Sequence, residues 1–171
     1  MIVKKNKQVN LPAVAVSLAL VAFGLIMSFV QDLSRAPAYI QASLTQAKKP
    51  ERPDFSKYDL LLKTFAKDGR VDYKNLKSSP LLQAAMEEMA NNSPDNFKSL
   101  DDTICYWINA HNLIAIKIVC DEYPVIAPLK LKREFIARLF VVGGKARSAE
   151  TIWTDYIHPR LVEKRKRSEE H

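Results

Sequence analysis

This sequence of 171 residues is short of the features that usually announce a reaction. Its two cysteines and three histidines nowhere take the close spacing of a zinc site, so no metal is expected. Its four glycines make neither a phosphate-cradling loop nor a nucleophile elbow. Gly143-Gly144 reads as a hairpin turn rather than a cofactor loop, and no cofactor is expected. There is no internal repeat, no long low-complexity tract and no basic stripe interleaved with aromatics. The formal charge is +7, but Lys4, Lys5, Lys7 and Arg35 against Asp32 place +3 of it in the first 38 residues. The remaining +4 includes the Lys164–Arg167 run, so nucleic acid is not an expected partner.

What is present is an ordinary globular balance, 47% apolar and 26% charged, long enough for one domain and an appendage. The appendage is legible. Leu11 to Val30 is an uncharged apolar run of twenty residues, about 30 Å as a helix and so the thickness of a bilayer core. Three lysines precede it and only Arg35 closely follows, which predicts a cytoplasmic N-terminus and a translocated remainder. Two readings fit. In one the run is an uncleaved single-pass anchor in the cell inner membrane. In the other it is a signal peptide cut near Ala36-Pro37-Ala38. The run is longer than a usual signal core, and Asp32 and Arg35 stand before the cut, which favours the anchor. Either way the domain works on the periplasmic, extracytoplasmic side.

The expected organisation is a basic N-terminus (1–10), the membrane helix (11–30), a juxtamembrane linker (31–53), a domain (54–162) and a charged tail (163–171). Pro37, Pro50 and Pro53 discourage a continuous helix in the linker. In the domain, Phe55, Tyr58, Leu61, Leu62 and Phe65 recur at helical spacing, with Ser56 and Asp59 as a capping pair and Gly69 beyond the end. Ser79-Pro80 opens a second helix, which ends at Asn91–Pro94. Ser99 to Asp102 caps a long third helix that stops before Pro124. Residues 138–142 are strand-like and turn back at Gly143-Gly144, after which Ser148 caps a last helix that meets Pro159. The fold class is α+β, a mainly helical domain with a small antiparallel hairpin.

The long helix carries the residues of interest. Cys105, Asn109 and Asn112 fall within about 60° of one another and form one stripe, with Trp107 opposite. A thiol and two amides on one face could line a site. Equally, both asparagines could bond a packed loop and fix the helix against the Asp68–Tyr73 segment, and that structural role is the expectation here. A catalytic Cys105 needs a base; local spacing supplies none, and His158 would have to arrive through the tertiary fold. Cys105 and Cys120 lie fifteen residues apart on one helix, about 22 Å, and cannot form a disulfide.

Taken together, YDLLLKTFAKDGRVDYKNL (Tyr58–Leu76) and YWINAHNLIAIKIVCDEYPV (Tyr106–Val125) resemble domain-of-unknown-function family 547 of bacteria and plants. The family's Asp-Gly-x-Val-Asp-Tyr is matched by Asp68, Gly69, Val71, Asp72 and Tyr73. Its aromatic-Trp-x-Asn-Ala-Tyr-Asn helix, ending near Tyr-Pro, is matched by Tyr106, Trp107, Asn109, Ala110, Asn112, Tyr123 and Pro124. FVVGGKARSAETI resembles the family's strand-glycine-serine-isoleucine element. The resemblance covers about Asp54 to Pro159 and implies a papain-like or transglutaminase-like layout. The chain departs from it at His111, where tyrosine is usual, and at Trp153-Thr154, where an acid and a histidine commonly follow. It also departs after Pro159, where the family's strand with Asp-Pro-Arg, histidine and cysteine is replaced by VEKRKRSEEH. Lack of that strand implies an exposed sheet edge or apolar patch, and a protein partner there.

The expected function is therefore a membrane-anchored binding or assembly module. The alternative is a papain-like thiol hydrolase or acyltransferase with Cys105 as nucleophile, Asn109 or Asn112 orienting, and His158 as base.

Overall fold

The computed structural model describes residues 36–125 and 128–169, the side chains of 128–130 excepted. The basic N-terminus, the expected membrane segment 11–30 and the first residues of the linker lie outside the described residues. The chain is mainly helical with two small antiparallel sheets, the α+β class expected.

A helix over residues 36–44 (α1) precedes α2, Ser56–Phe65. A short hairpin, β1 Ala66–Lys67 and β2 Arg70–Val71, leads into α3, Tyr73–Leu76. Next come α4, Pro80–Asn91, the long α5, Leu100–Glu122, and α6, Pro128–Ala137. A second hairpin pairs β3, Phe140–Val142, with β4, Lys145–Arg147. The chain finishes in helical backbone: α7, Ala149–Thr151, a π-helical segment Ile152–Ile157, and α8, His158–Glu169.

Helix starts follow local chemistry. Ser79, Ser99 and Ser148 each accept a hydrogen bond from a backbone N–H of the first turn that follows, and Pro80 sits where a missing N–H is harmless. The expected Ser56–Asp59 cap on α2 is not formed. Glu88 of α4 caps it instead, accepting from Ser56 Oγ and from the Lys57 and Tyr58 N–H groups. A carboxylate at a helix N-terminus also meets the positive end of the dipole. The last helix, expected to end at Pro159, continues past it to Glu169, so the charged residues 163–169 are helical. Proline is tolerated here because it falls in the first turn of α8, directly after the wider π-turns.

The core is built around α5. Nine of its side chains are buried, with Tyr106, Trp107, Leu113, Ile114 and Ile118 almost without exposure. By length and composition α5 would also cross a bilayer, but it is the central helix of this domain. α3, α4, α6 and the π-segment all pack against it, and α2 packs on α4. An aromatic series runs through the middle. Phe97 meets Tyr106 edge-on at 5.7 Å, Tyr106 meets Trp107 edge-on at 5.1 Å, and Trp107 stacks on Tyr156 at 4.1 Å.

The C-terminal end of α4 organises the rest. A helix leaves its last four carbonyls without intrahelical partners. In α4 each finds a donor from outside the helix. Asn92 Nδ2 donates to Glu88 O at 2.8 Å. Gly143 N donates to Met89 O at 3.0 Å and Gly144 N to Ala90 O at 2.8 Å. Lys48 N donates to Asn91 O at 2.7 Å, and Ser93 N returns a bond to Lys48 O. The Tyr106 hydroxyl reaches Asn92 O at 2.6 Å and Met89 O at 3.2 Å. Gly143 is needed at this junction, because at φ +56° a Cβ would be strained and would sit 3.3 Å from Tyr106 Oη.

The expected linker is thus partly built into the domain: residues 36–44 are helical, and Lys48 pairs with Asn92 in a parallel bridge. Asn96 Nδ2 donates to Lys49 O at 3.0 Å, and Lys49 pairs with Asp95 at 3.2 Å. The sequence concealed this docking because its partners lie more than forty residues away.

Tyr106→Phe keeps the ring and removes the hydroxyl, leaving the part-buried Asn92 carbonyl without this donor while Met89 O keeps the Gly143 N–H; it should cost about 1–3 kcal/mol in urea unfolding. The Lys49 hydrogen bond, chief among several, holds the Asp95 carboxyl below its ordinary value against the opposing effect of burial. A depressed folded pKa contributes stability above the ordinary carboxylate pKa and loses it as pH falls through the folded value. Amide exchange at Lys48 and Ser93 should therefore accelerate, relative to the α5 core, as pH is lowered below about 4.

Candidate functional site

The stripe expected on α5 exists, but it faces outward. Cys105 and Asn112 are exposed, Asn109 and Ile108 are half-buried, and the opposite side carries Trp107 into the core. Neither asparagine side chain makes a hydrogen bond among the described residues, which overturns the expectation that they fix α5 against Asp68–Tyr73. The physical reason is that amide side chains are costly to bury, and the apolar residues on the other side of α5, Trp107 among them, take the core instead. The segment holds itself instead. Asp68 and Gly69 turn the first hairpin at φ +51° and +71°. Asp72 caps α3, accepting from Asn75 N at 3.2 Å and Asn75 Nδ2 at 2.6 Å. The side-chain bond from Asn75, first among several causes, holds the Asp72 carboxyl below the usual carboxylate value. Lys77 Nζ then ties the end of this region to Tyr123 O at 3.1 Å.

The candidate base is not joined to the candidate nucleophile. His158 is exposed at the start of α8. Among the described residues no hydrogen bond or ring contact links it, or His111, to Cys105. His111 lies beside Phe135 and Trp153, with ring centroids 6.5 and 6.2 Å away. What α8 does bring to the stripe is Lys164, which pairs with Asp101 at 2.6 Å, one turn before Cys105. Both groups are more than half exposed, so the pair contributes only about 0–1 kcal/mol. Cys120 is the reverse of Cys105. Burial, then the nearby Asp121 carboxylate, pushes its thiol up and away from reactivity. Among the described residues no three His, Cys, Asp or Glu side chains are arranged to hold a metal ion.

Sequence reasoning missed Arg147. It is buried at 7% exposure, and its hydrogen-bond partners among the described residues are neutral groups. Its guanidinium lies over the rings of Trp107 and Tyr156, 5.1 and 5.0 Å from their centroids. It donates to Val142 O across its own hairpin and to Tyr156 Oη at 3.3 Å. One side chain thus binds the β3–β4 hairpin, α5 and the π-segment through cation–π and hydrogen-bond contacts. Arg147 Nε and Trp107 Nε1 are buried without a partner among the described residues. Nothing in the spacing of a lone arginine after Gly143-Gly144 signals this.

In the folded protein a thiol reagent should modify one cysteine per chain. Mass mapping should place the label on Cys105, with Cys120 reacting only after denaturation. Native labelling of Cys120 would contradict the packing of α5.

No family model, no curated protein and no solved structure matches this chain.

Proposed function

We propose that this is a single-pass inner-membrane protein with its N-terminus in the cytoplasm. It displays a family-547-like domain, papain-like in layout, on the extracytoplasmic side, and that domain serves as a binding or assembly module. The observation that carries this reading is the open face of α5. A thiol enzyme needs its nucleophile beside a base and an orienting group. Here the thiol-bearing stripe is turned to solvent, and among the described residues no histidine is bonded to it. A half-apolar stripe with two amides free of intramolecular bonds suits recognition of another surface, where such groups are satisfied by the partner. Support for the anchor is the uncharged run Leu11–Val30 and its flanking lysines.

One observation favours the hydrolase or acyltransferase alternative, namely that Cys105 is the accessible thiol and shares its face with Asn109 and Asn112. The two readings separate on the pH dependence of Cys105 alkylation in a Cys120→Ser background. The module reading expects slow labelling near pH 6 that His158→Ala leaves unchanged. Fast labelling near pH 6, abolished by His158→Ala, would instead establish an activated nucleophile. Topology is checked separately with a C-terminal tag. Protease added to spheroplasts should remove the tag, whereas intact cells and a cytoplasmic marker should be spared.

A further inference from the structure

The three most exposed large apolar side chains among the described residues belong to one short helix. Tyr39, Ile40 and Leu44 on α1 are 57%, 60% and 80% exposed. They span about 140° of the helix surface, so they form a single outward face. Ala38, Ala42 and Thr45 on the other side are half-buried. A helix in water ordinarily turns such residues inward, and an outward apolar face marks a surface made for another phase or partner.

Two further observations say which. The first is covalent reach. Five residues, 31–35, lie in sequence between Ala36 and the end of the Leu11–Val30 run, and at full extension they could cover no more than about 17 Å. If the run is a membrane anchor, residues 36–44 are held by the chain within or just beyond the headgroup layer. Its composition fits that depth, with a tyrosine and two aliphatic residues on one side and Arg35, Lys48 and Arg52 flanking it. The second is the attachment of α1 to the domain. Ala47 packs so closely on the second hairpin that a Cβ at Gly144 would lie 3.0 Å from the Ala47 Cβ. Lys48 is then held between Asn91 and Ser93. Few residues are left between α1 and this strap to let the helix swing freely.

We infer that α1 is an interfacial helix: Tyr39, Ile40 and Leu44 lie in the lipid headgroup region, and the strap from Ala47 to Lys49 passes that placement to the domain. The ligand is the lipid surface itself, with phosphate headgroups facing the flanking basic residues. This inference rests on the anchored reading of the protein.

The test uses the full chain in phosphatidylethanolamine–phosphatidylglycerol vesicles, in a Cys105→Ser background. An environment-sensitive fluorophore is placed through Ile40→Cys, Leu44→Cys or, as a control on exposed α6, Lys132→Cys. Flotation is measured first, then quenching by a nitroxide lipid labelled near its headgroup and by aqueous iodide. The expected result is strong lipid quenching at 40 and 44, with iodide quenching several-fold weaker there than at 132. Iodide access at 40 and 44 equal to that at 132, in vesicles that carry the protein, overturns the interfacial helix and leaves the anchor standing. Protection from both quenchers that grows with protein density assigns the face to a second copy and also overturns it. Failure to float removes the anchor and this inference together.

Discussion

Unsatisfied carbonyls at the end of one helix are the constraint on which the rest of the structure depends. α4 ends inside the domain, where its last four acceptors cannot all turn to water, and a buried acceptor without a donor is costly. Three distant parts of the chain converge to supply the donors: the strap at Lys48, the turn at Gly143-Gly144 and the hydroxyl of Tyr106. Burial holds the Tyr106 hydroxyl protonated far above the ordinary phenol range, so it stays a donor. The positions of the hairpin and of the first residues of the domain are consequences of where α4 stops.

α5 is the second organising element, and its two sides do different work. One side fills the core with Tyr106, Trp107, Leu113 and Ile114; the other leaves Cys105 and Asn112 in solvent. Arg147 completes the buried side, its charge spread over two aromatic faces and a carbonyl rather than paired with a carboxylate. That arrangement suits arginine, whose flat and weakly hydrated guanidinium stacks where an ammonium would not. The amides of the outward stripe make no hydrogen bond among the described residues.

The boundaries that could be read from sequence are those set by neighbours in the chain. Ser79-Pro80, Ser99 with Asp102, Ser148 and the glycine pair at 143–144 all act within three or four residues, and all are found where local chemistry puts them. What could not be read depends on contacts made at a distance. Glu88 caps a helix about thirty residues earlier, Lys48 docks on Asn91, and Arg147 reaches across to Tyr156. α6 is not marked in the sequence, and the hairpin at Asp68-Gly69 reads there only as the end of α2, with Gly69 beyond it, because its strands are two residues long. In the candidate site the shared face of Cys105, Asn109 and Asn112 was legible from helical geometry. Its outward direction was not, because amides on a largely apolar helix are expected to bond a distant segment, and no such segment packs over them to supply partners among the described residues.

The parallel bridge at Lys48 has a mechanical consequence. A pull on the N-terminal end of this chain would enter the compact domain at Asn91 and Ser93, beside the carbonyls that gather the hairpin and Tyr106. Beyond α1, the load would meet a point where distant parts of the chain are bonded to the end of α4. A domain gripped in this manner can be tugged, crowded or dragged along a surface while the outward face of α5 keeps its shape.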